Sequence, residues 1–257
     1  LVFDQHIGID YSGADTAVSR LPGLQVYRSA GGGLPERVDT PARPENRRWN
    51  WNRTELAAWL TELALSGERF IAGLDHGLSV PWSYFQRYEL LSWDQFLDDF
   101  VQHWPLHRPH LFVDVLRDRG CARTGKSTEY RITERWTSSA KSVFHFDAQG
   151  QVAKSTHAGI PWLHQLRQRA GQHLHFWPFD GWDLPEDKAV LCEVFPSILR
   201  RRYPAQRRSS HEHDAYAVAR WLRDLDARGG LDHYAHPRLT DAERNIARLE
   251  GWIFGIA

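Results

Sequence analysis

Three short apolar runs that end in or beside a carboxylate constrain this chain more than any other feature. Residues 6–10 read HIGID, residues 70–75 read FIAGLD and residues 189–194 read AVLCEV. A run that is apolar at both parities cannot keep one face in water, so each predicts a strand buried on both sides, as in a parallel sheet covered by helices. Two further strands are expected from the alternation over residues 23–30 (GLQVYRSA) and, more faintly, over residues 36–39, with the turn Gly31-Gly32-Gly33 between them. Helical spacing follows over residues 54–66, where Thr54 is the expected cap and Leu56, Trp59, Leu60 and Leu63 share a face. It recurs over 93–103, and over 211–228 with Ala215, Val218, Ala219, Leu222 and Leu225 on one stripe. A last helix is predicted after Thr240, with Glu243 completing a capping box and Ile246, Leu249 and Ile253 as its apolar stripe. The succession of strands, helix, strand, strand and helices predicts an α/β or mixed sheet, not a bundle or a sandwich.

Residues 82–187 break this rhythm and read as an insertion between the fourth and fifth strands of one domain spanning 1–257. The 257 residues are 42% hydrophobic and 25% charged, values of a globular chain that exclude a disordered or collagen-like one. No apolar run approaches the length of a membrane span, so no membrane partner is expected. Residues 1–15 lack a basic segment followed by an apolar core, so no signal peptide is expected. Two cysteines, Cys121 and Cys192, make neither a disulfide framework nor a zinc site, which points to a reducing, cytoplasmic setting. Lys and Arg total 32 and Asp and Glu total 32. A chain of zero net charge does not coat nucleic acid along its length, so any such contact must be a local patch. Twelve tryptophans are read first as packing and second as platforms for bases.

The chemistry is expected at the strand ends. Asp10, Asp75 and Glu193 each close or nearly close an apolar strand, and Asp214 opens an apolar helix. In open α/β sheets the ligand site lies beyond the carboxyl ends of the strands. If the three strands are parallel neighbours, their ends lie about 4.8 Å apart. Carboxylates so close do not all stay ionised without a cation, and Mg²⁺ or Mn²⁺ is the hard, oxygen-liganded partner that suits them. Taken singly, each acid has a plainer explanation. An Asp after a strand is usually a turn or helix cap, Glu193 could be a paired acid, and Asp214 could answer a helix dipole.

Taken in order, the segments IGIDYSGA, AGLDHGLSVP, CEVFPSILRRRYP, HDAYAVARWL and EGWIFG resemble a bacterial family of predicted RNase-H-like nucleases. YRITERW, AKSVFHF and STHAGIPWLHQLR extend the resemblance into the insertion, so it covers most of the chain, from about residue 6 to residue 255. The resemblance implies an RNase-H-like fold, a five-stranded mixed sheet in the order 3-2-1-4-5 flanked by helices. It places Asp10 on the central strand, Asp75 at the end of the fourth and Asp214 on a late helix. RNase H enzymes commonly draw one further acid from the first helix. Here Glu55 and Glu62 stand there outside any motif, and Glu193 is the substitute.

The expected activity is hydrolysis of a phosphodiester, with Asp10, Asp75, Glu193 and Asp214 holding one or two metal ions. The partner would be a nucleic acid or a small phosphodiester. Ser12, Arg131, Glu134, Lys141, Ser142, Arg200, Arg207 and Arg208 are the candidate substrate contacts. For Arg131, Lys141 and the arginine run, a solvated surface is the competing explanation. Two rival functions stay open. IGIDYSGA also resembles the first phosphate loop of the actin and sugar-kinase group, which would make the chain an ATP-binding phosphotransferase, although that group carries two copies of the core. A catalytically inactive RNase-H-like module that binds a macromolecule is the other. GCARTGKS (residues 120–127) has the P-loop pattern, but the charged RDR before it and the strand-like TEYRIT after it predict a basic loop instead. His211 and His213 flank the start of the Asp214 helix and read as caps, a proton shuttle or transition-metal ligands.

Overall fold

A computed structural model describes residues 2–44, 49–120, 123–137, 139–147 and 152–257. Cys121, and with it part of the GCARTGKS loop, lies outside the described residues. In chain order the elements are β1 (Gln5–Asp10), β2 (Gln25–Ala30), β3 (Glu36–Arg37), α1 (Arg53–Leu65), β4 (Phe70–Leu74), α2 (Trp82–Arg87), α3 (Trp93–His103) and α4 (Val113–Asp118). They continue with α5 (Ile132–Trp136), α6 (Val152–Ala170), β5 (Leu174–Phe176), β6 (Ala189–Glu193), α7 (Ser210–Ala227), α8 (Leu231–Ala235) and α9 (Asp241–Glu250).

The sheet is mixed and six-stranded, in the order β3-β2-β1-β4-β6-β5. β1, β4 and β6 are parallel neighbours, as the three apolar runs require, and β2 and β3 continue the sheet antiparallel. The sequence reading expected five strands. The sixth, β5, comes from within residues 82–187 and pairs in parallel with the outer edge of β6. Its three buried residues, Leu174, His175 and Phe176, are too few to carry a period. That segment therefore contributes to the sheet as well as covering it. Phe85, Phe96, Phe100 and Leu163 share one apolar cluster with Ile7, Ile9 and Leu74 of the strands.

Several local expectations need correction. The N-cap of α1 is Asn52, whose side chain accepts the Glu55 amide, and Thr54 sits in the first turn. TEYRIT is no strand: the β-branched Ile132 and Thr133 open the short helix α5 instead. No helix begins at Lys126–Ser127, where a P-loop needs one to open. α9 ends at Glu250, and Ile253 leaves the helical stripe to form a parallel bridge with Glu193. Among the described residues no helix is long and apolar enough to cross a membrane.

α7 crosses the middle of the sheet, and two glycines permit it. Gly8 and Gly73 are register partners on β1 and β4. A Cβ on Gly8 would lie 2.0 Å from the Ala215 carbonyl oxygen, and one on Gly73 would lie 2.7 and 2.8 Å from Val194 and Val218 methyls. Side chains two apart share a face. The G-x-D spacing of IGID and AGLD thus sends Asp10 and Asp75 out on the face that α7 covers. Gly8→Ala is expected to destabilise by about 3 kcal/mol, the upper range for overpacking, because the obstacle is helix backbone. A thermal melt against wild type checks this.

The N-terminal end of β1 is tied to the far end of α7. The buried Asp226 carboxylate accepts the amides of Val2 (2.7 Å) and Phe3 (3.0 Å), and His6 Nε2 lies 2.8 Å from it. Burial alone would raise the Asp226 pKa, but the His6 contact and the two amides outweigh it and hold it below the usual carboxylate value. The depressed value contributes stability above the unfolded-state pKa, near 4, and that stability is lost as pH falls through the folded value. Asp226→Asn is expected to cost about 2 kcal/mol at pH 7. Urea titrations should show the gap to wild type closing as pH drops below about 4.

Candidate active site

The carboxyl ends of β1, β4 and β6 open into a cleft of about 650 Å³. Asp10, Ser12, Asp75, Arg131, Glu134, Lys141, Glu193, Arg200 and Asp214 all line it. Asp10 closes β1 and is 5% exposed, and Asp75 follows β4 and donates its amide to the Ile9 carbonyl. The two carboxyl groups are hydrogen-bonded to each other. Burial first, and then the Asp10 charge, push Asp75 well above the ordinary carboxylate range.

Asp214 reaches the same place from α7. Ser209 and Glu212 form a reciprocal capping box that fixes the start of this helix, and Asp214 lies just beyond it. Burial and the Asp10 charge raise its pKa, against the pull of Arg200 and the neighbouring histidines. Its Oδ2 is 3.7 Å from Arg200 Nη1, while its Oδ1 is buried with no hydrogen-bond partner among the described residues. His211 Nδ1 lies 2.6 Å from Asp10 Oδ2, and this hydrogen bond raises the His211 pKa. His213 points elsewhere, to the Arg200 carbonyl, so the HxH pair does not converge.

Glu193 departs from the expected arrangement. The register pairs Cys192 with Gly73 and Glu193 with Leu74. Glu193 is therefore one residue out of phase with Asp10 and Asp75, and strand alternation turns it to the opposite face of the sheet. There it meets Arg131, whose guanidinium grips both carboxylate oxygens at 2.6 Å. Arg131 Nε donates to Glu134 at 2.9 Å, and the Glu134 carboxylate also accepts the Arg131 amide. All three side chains are almost wholly buried. The Leu78 amide donates to Glu193 as well, and Glu250 accepts the amides of Trp82 and Ile132. Glu193 and Arg131, assigned from sequence to a metal and to a phosphate, are thus bound to each other. Together with Glu134 they form a strut joining α5 to β6.

Ser142, Arg207, Arg208 and Glu55 do not line the cleft. Ser142 is buried and donates to the Glu129 carbonyl. Arg207 is exposed, and Arg208 lies 3.6 Å over the Tyr216 ring while donating to the Pro204 carbonyl. Glu55 pairs with Arg20 and Thr40, so the first helix sends that acid to a structural contact. Lys141 is exposed on the cleft wall with no ion-pair partner among the described residues. Lys154 also lines the cleft and is paired with Asp114 at 2.7 Å.

Some of the lining was not anticipated. His76, directly after Asp75, is buried; its Nδ1 donates to the Gly77 carbonyl, and burial lowers its pKa to about 4, so the ring is neutral. Phe195 and Ser197 follow Glu193 at the cleft wall. Their place between an acid-ending strand and an arginine run was the available signal. No tryptophan lines the cleft, and Trp51, Trp104, Trp177, Trp221 and Trp252 are core residues.

As arranged, no group of three or more His, Cys, Asp or Glu side chains among the described residues is already set to hold a metal ion. What the site offers is two hydrogen-bonded carboxyls and a third with a free oxygen, on one face of the sheet. The chain matches no protein-family model, no curated protein and no solved structure.

Proposed function

We propose that this chain is an RNase-H-like, divalent-metal-dependent phosphodiester hydrolase, with Asp10, Asp75 and Asp214 as its metal-binding side chains. The observation that carries the reading is the placement of these three acids on one face at the strand ends, with Asp214 Oδ1 buried and unpartnered. Such an oxygen has no donor among the described residues, and a cation is a partner that would satisfy it. The donors are all hard oxygens, which fits Mg²⁺ or Mn²⁺ rather than a softer ion. Bound there, the metal would supply an activated water and charge neutralisation at phosphorus. His211 is placed to take or return a proton beside Asp10, and Arg200 and Lys141 are placed to attract a phosphate. The strand order β3-β2-β1-β4-β6 is the order that the resemblance to predicted RNase-H-like nucleases leads one to expect, with β5 added outside it. Glu193 is left out of the metal set because Arg131 already neutralises it.

The test is hydrolysis of bis(4-nitrophenyl) phosphate and of single-stranded oligonucleotides, with Mn²⁺, with Mg²⁺ and with a chelator. Metal-dependent turnover is the expected result. The reading fails if no phosphodiester is cut with either metal and neither metal raises the melting temperature. The inactive binding module would then replace it.

A further inference from the structure

We propose, resting on the phosphodiesterase reading above, that the cleft takes the end of a single nucleic-acid strand and not an interior stretch of duplex. One side of the three acids is walled off. A Cβ on Gly13, in the loop after β1, would lie 2.1 Å from the Lys154 carbonyl group, so the first turn of α6 is seated directly on that loop. The Gly77 amide, two residues past Asp75, donates to Thr156 Oγ1 at 2.9 Å and closes the same wall further along. On that side, a duplex laid across the strand ends would meet this backbone. The remaining space, about 650 Å³, is in the range that encloses a small ligand or the last units of a strand.

The rest of the lining suits a nucleotide entering end-on. Phe195 is half-buried on the wall, beside Val194 and with Ile253 also lining the cleft, and its ring makes no aromatic contact among the described residues. An unpaired ring at a phosphate-handling site is a platform for a base of any identity. Arg200 lines the cleft, and Arg201, Arg202 and Arg207 follow it in sequence as exposed cations. They provide a short basic exit for the strand behind its end. The zero net charge argues the same way, because a long duplex held along its length needs a broad basic face.

The experiment compares linear and covalently closed circular single strands of one sequence, as DNA and as RNA, with Mn²⁺. Bis(4-nitrophenyl) phosphate and the Asp10→Asn variant serve as controls. Linear strands should shorten progressively from one end, at least 100-fold faster than circles are opened, and DNA against RNA shows which sugar is accepted. Phe195→Ala should weaken linear-strand binding roughly tenfold, and Phe195→Tyr should restore it. Circles opened as fast as linear strands would overturn the inference and leave the hydrolase reading standing. Hydrolysis of bis(4-nitrophenyl) phosphate with neither nucleic acid cut would do the same. No hydrolysis of any substrate would overturn both.

Discussion

Arg131→Met is expected to destabilise the protein by about 3–5 kcal/mol, the range for breaking a buried ion pair from one side. For a chain of this length that is a fall in melting temperature of roughly 10 °C. The size follows from what the substitution leaves behind. Arg131 is 1% exposed and gives its whole fork to Glu193 and its Nε to Glu134. Burial opposes its charge, but the two carboxylates outweigh burial and raise its pKa above the ordinary arginine value. Methionine fills a similar volume, so the loss is electrostatic and not a cavity. Two carboxylates then face each other with no cation. Glu134 is already pushed upward by burial even with Arg131 present, so in the variant it takes up a proton more readily. A group whose folded pKa is raised adds stability as pH falls toward it. The deficit should therefore narrow as pH falls from about 8 toward the unfolded-state glutamate pKa, near 4. Adding Glu193→Gln to Arg131→Met should recover part of the loss, which a double-mutant cycle reads directly. A variant melting within 2 °C of wild type, flat across that pH range, would show that the strut contributes little.

The contrast between Asp75 and Glu193 shows how far the sequence could be read. Both follow apolar runs, and both were placed at the ends of adjacent parallel strands, which is where they lie. What separates them is parity. Asp10 and Asp75 each have glycine two residues before them, the trough in which α7 lies, whereas Glu193 has Leu191 there, a residue of the opposite core cluster. The G-x-D spacing was visible in the sequence. Its meaning depends on knowing which helix covers which face, and that is tertiary. The Arg131–Glu193 pair spans 62 positions and leaves no local trace. β5 and α5 were missed for a different reason. At three and five residues they are set by the strand edge and the ion network they join, not by their own periodicity. Long periodic segments such as α3 and α7, and the capping box of α9, were legible because their stabilising interactions are local.

Asp75→Asn should separate stability from function in opposite directions. Without metal, Asp75 sits half-buried beside Asp10, and desolvation and that neighbour disfavour its charge. Asparagine keeps the shape and a hydrogen-bond donor toward Asp10 while removing the repulsion. The metal-free variant should be as stable as wild type, or more stable by about 1 kcal/mol. With metal the order reverses. An ion that binds only the folded state at 100 times its dissociation constant adds about 2.7 kcal/mol, a rise of roughly 5–10 °C in melting temperature. Wild type should show this rise with Mn²⁺, and Asp75→Asn should show little of it. Metal-dependent hydrolysis should fall by about 10³-fold or more, because one missing oxygen ligand loosens both the metal and the water it activates. Glu193→Gln should have the opposite signature. It loses stability through Arg131 with or without metal, and it keeps the metal-induced rise. Melts of wild type and the two variants, with and without Mn²⁺, distinguish a metal ligand from a structural acid without any substrate. If Glu193→Gln loses the metal response while Asp75→Asn keeps it, the assignment of the two acids made from strand parity is reversed.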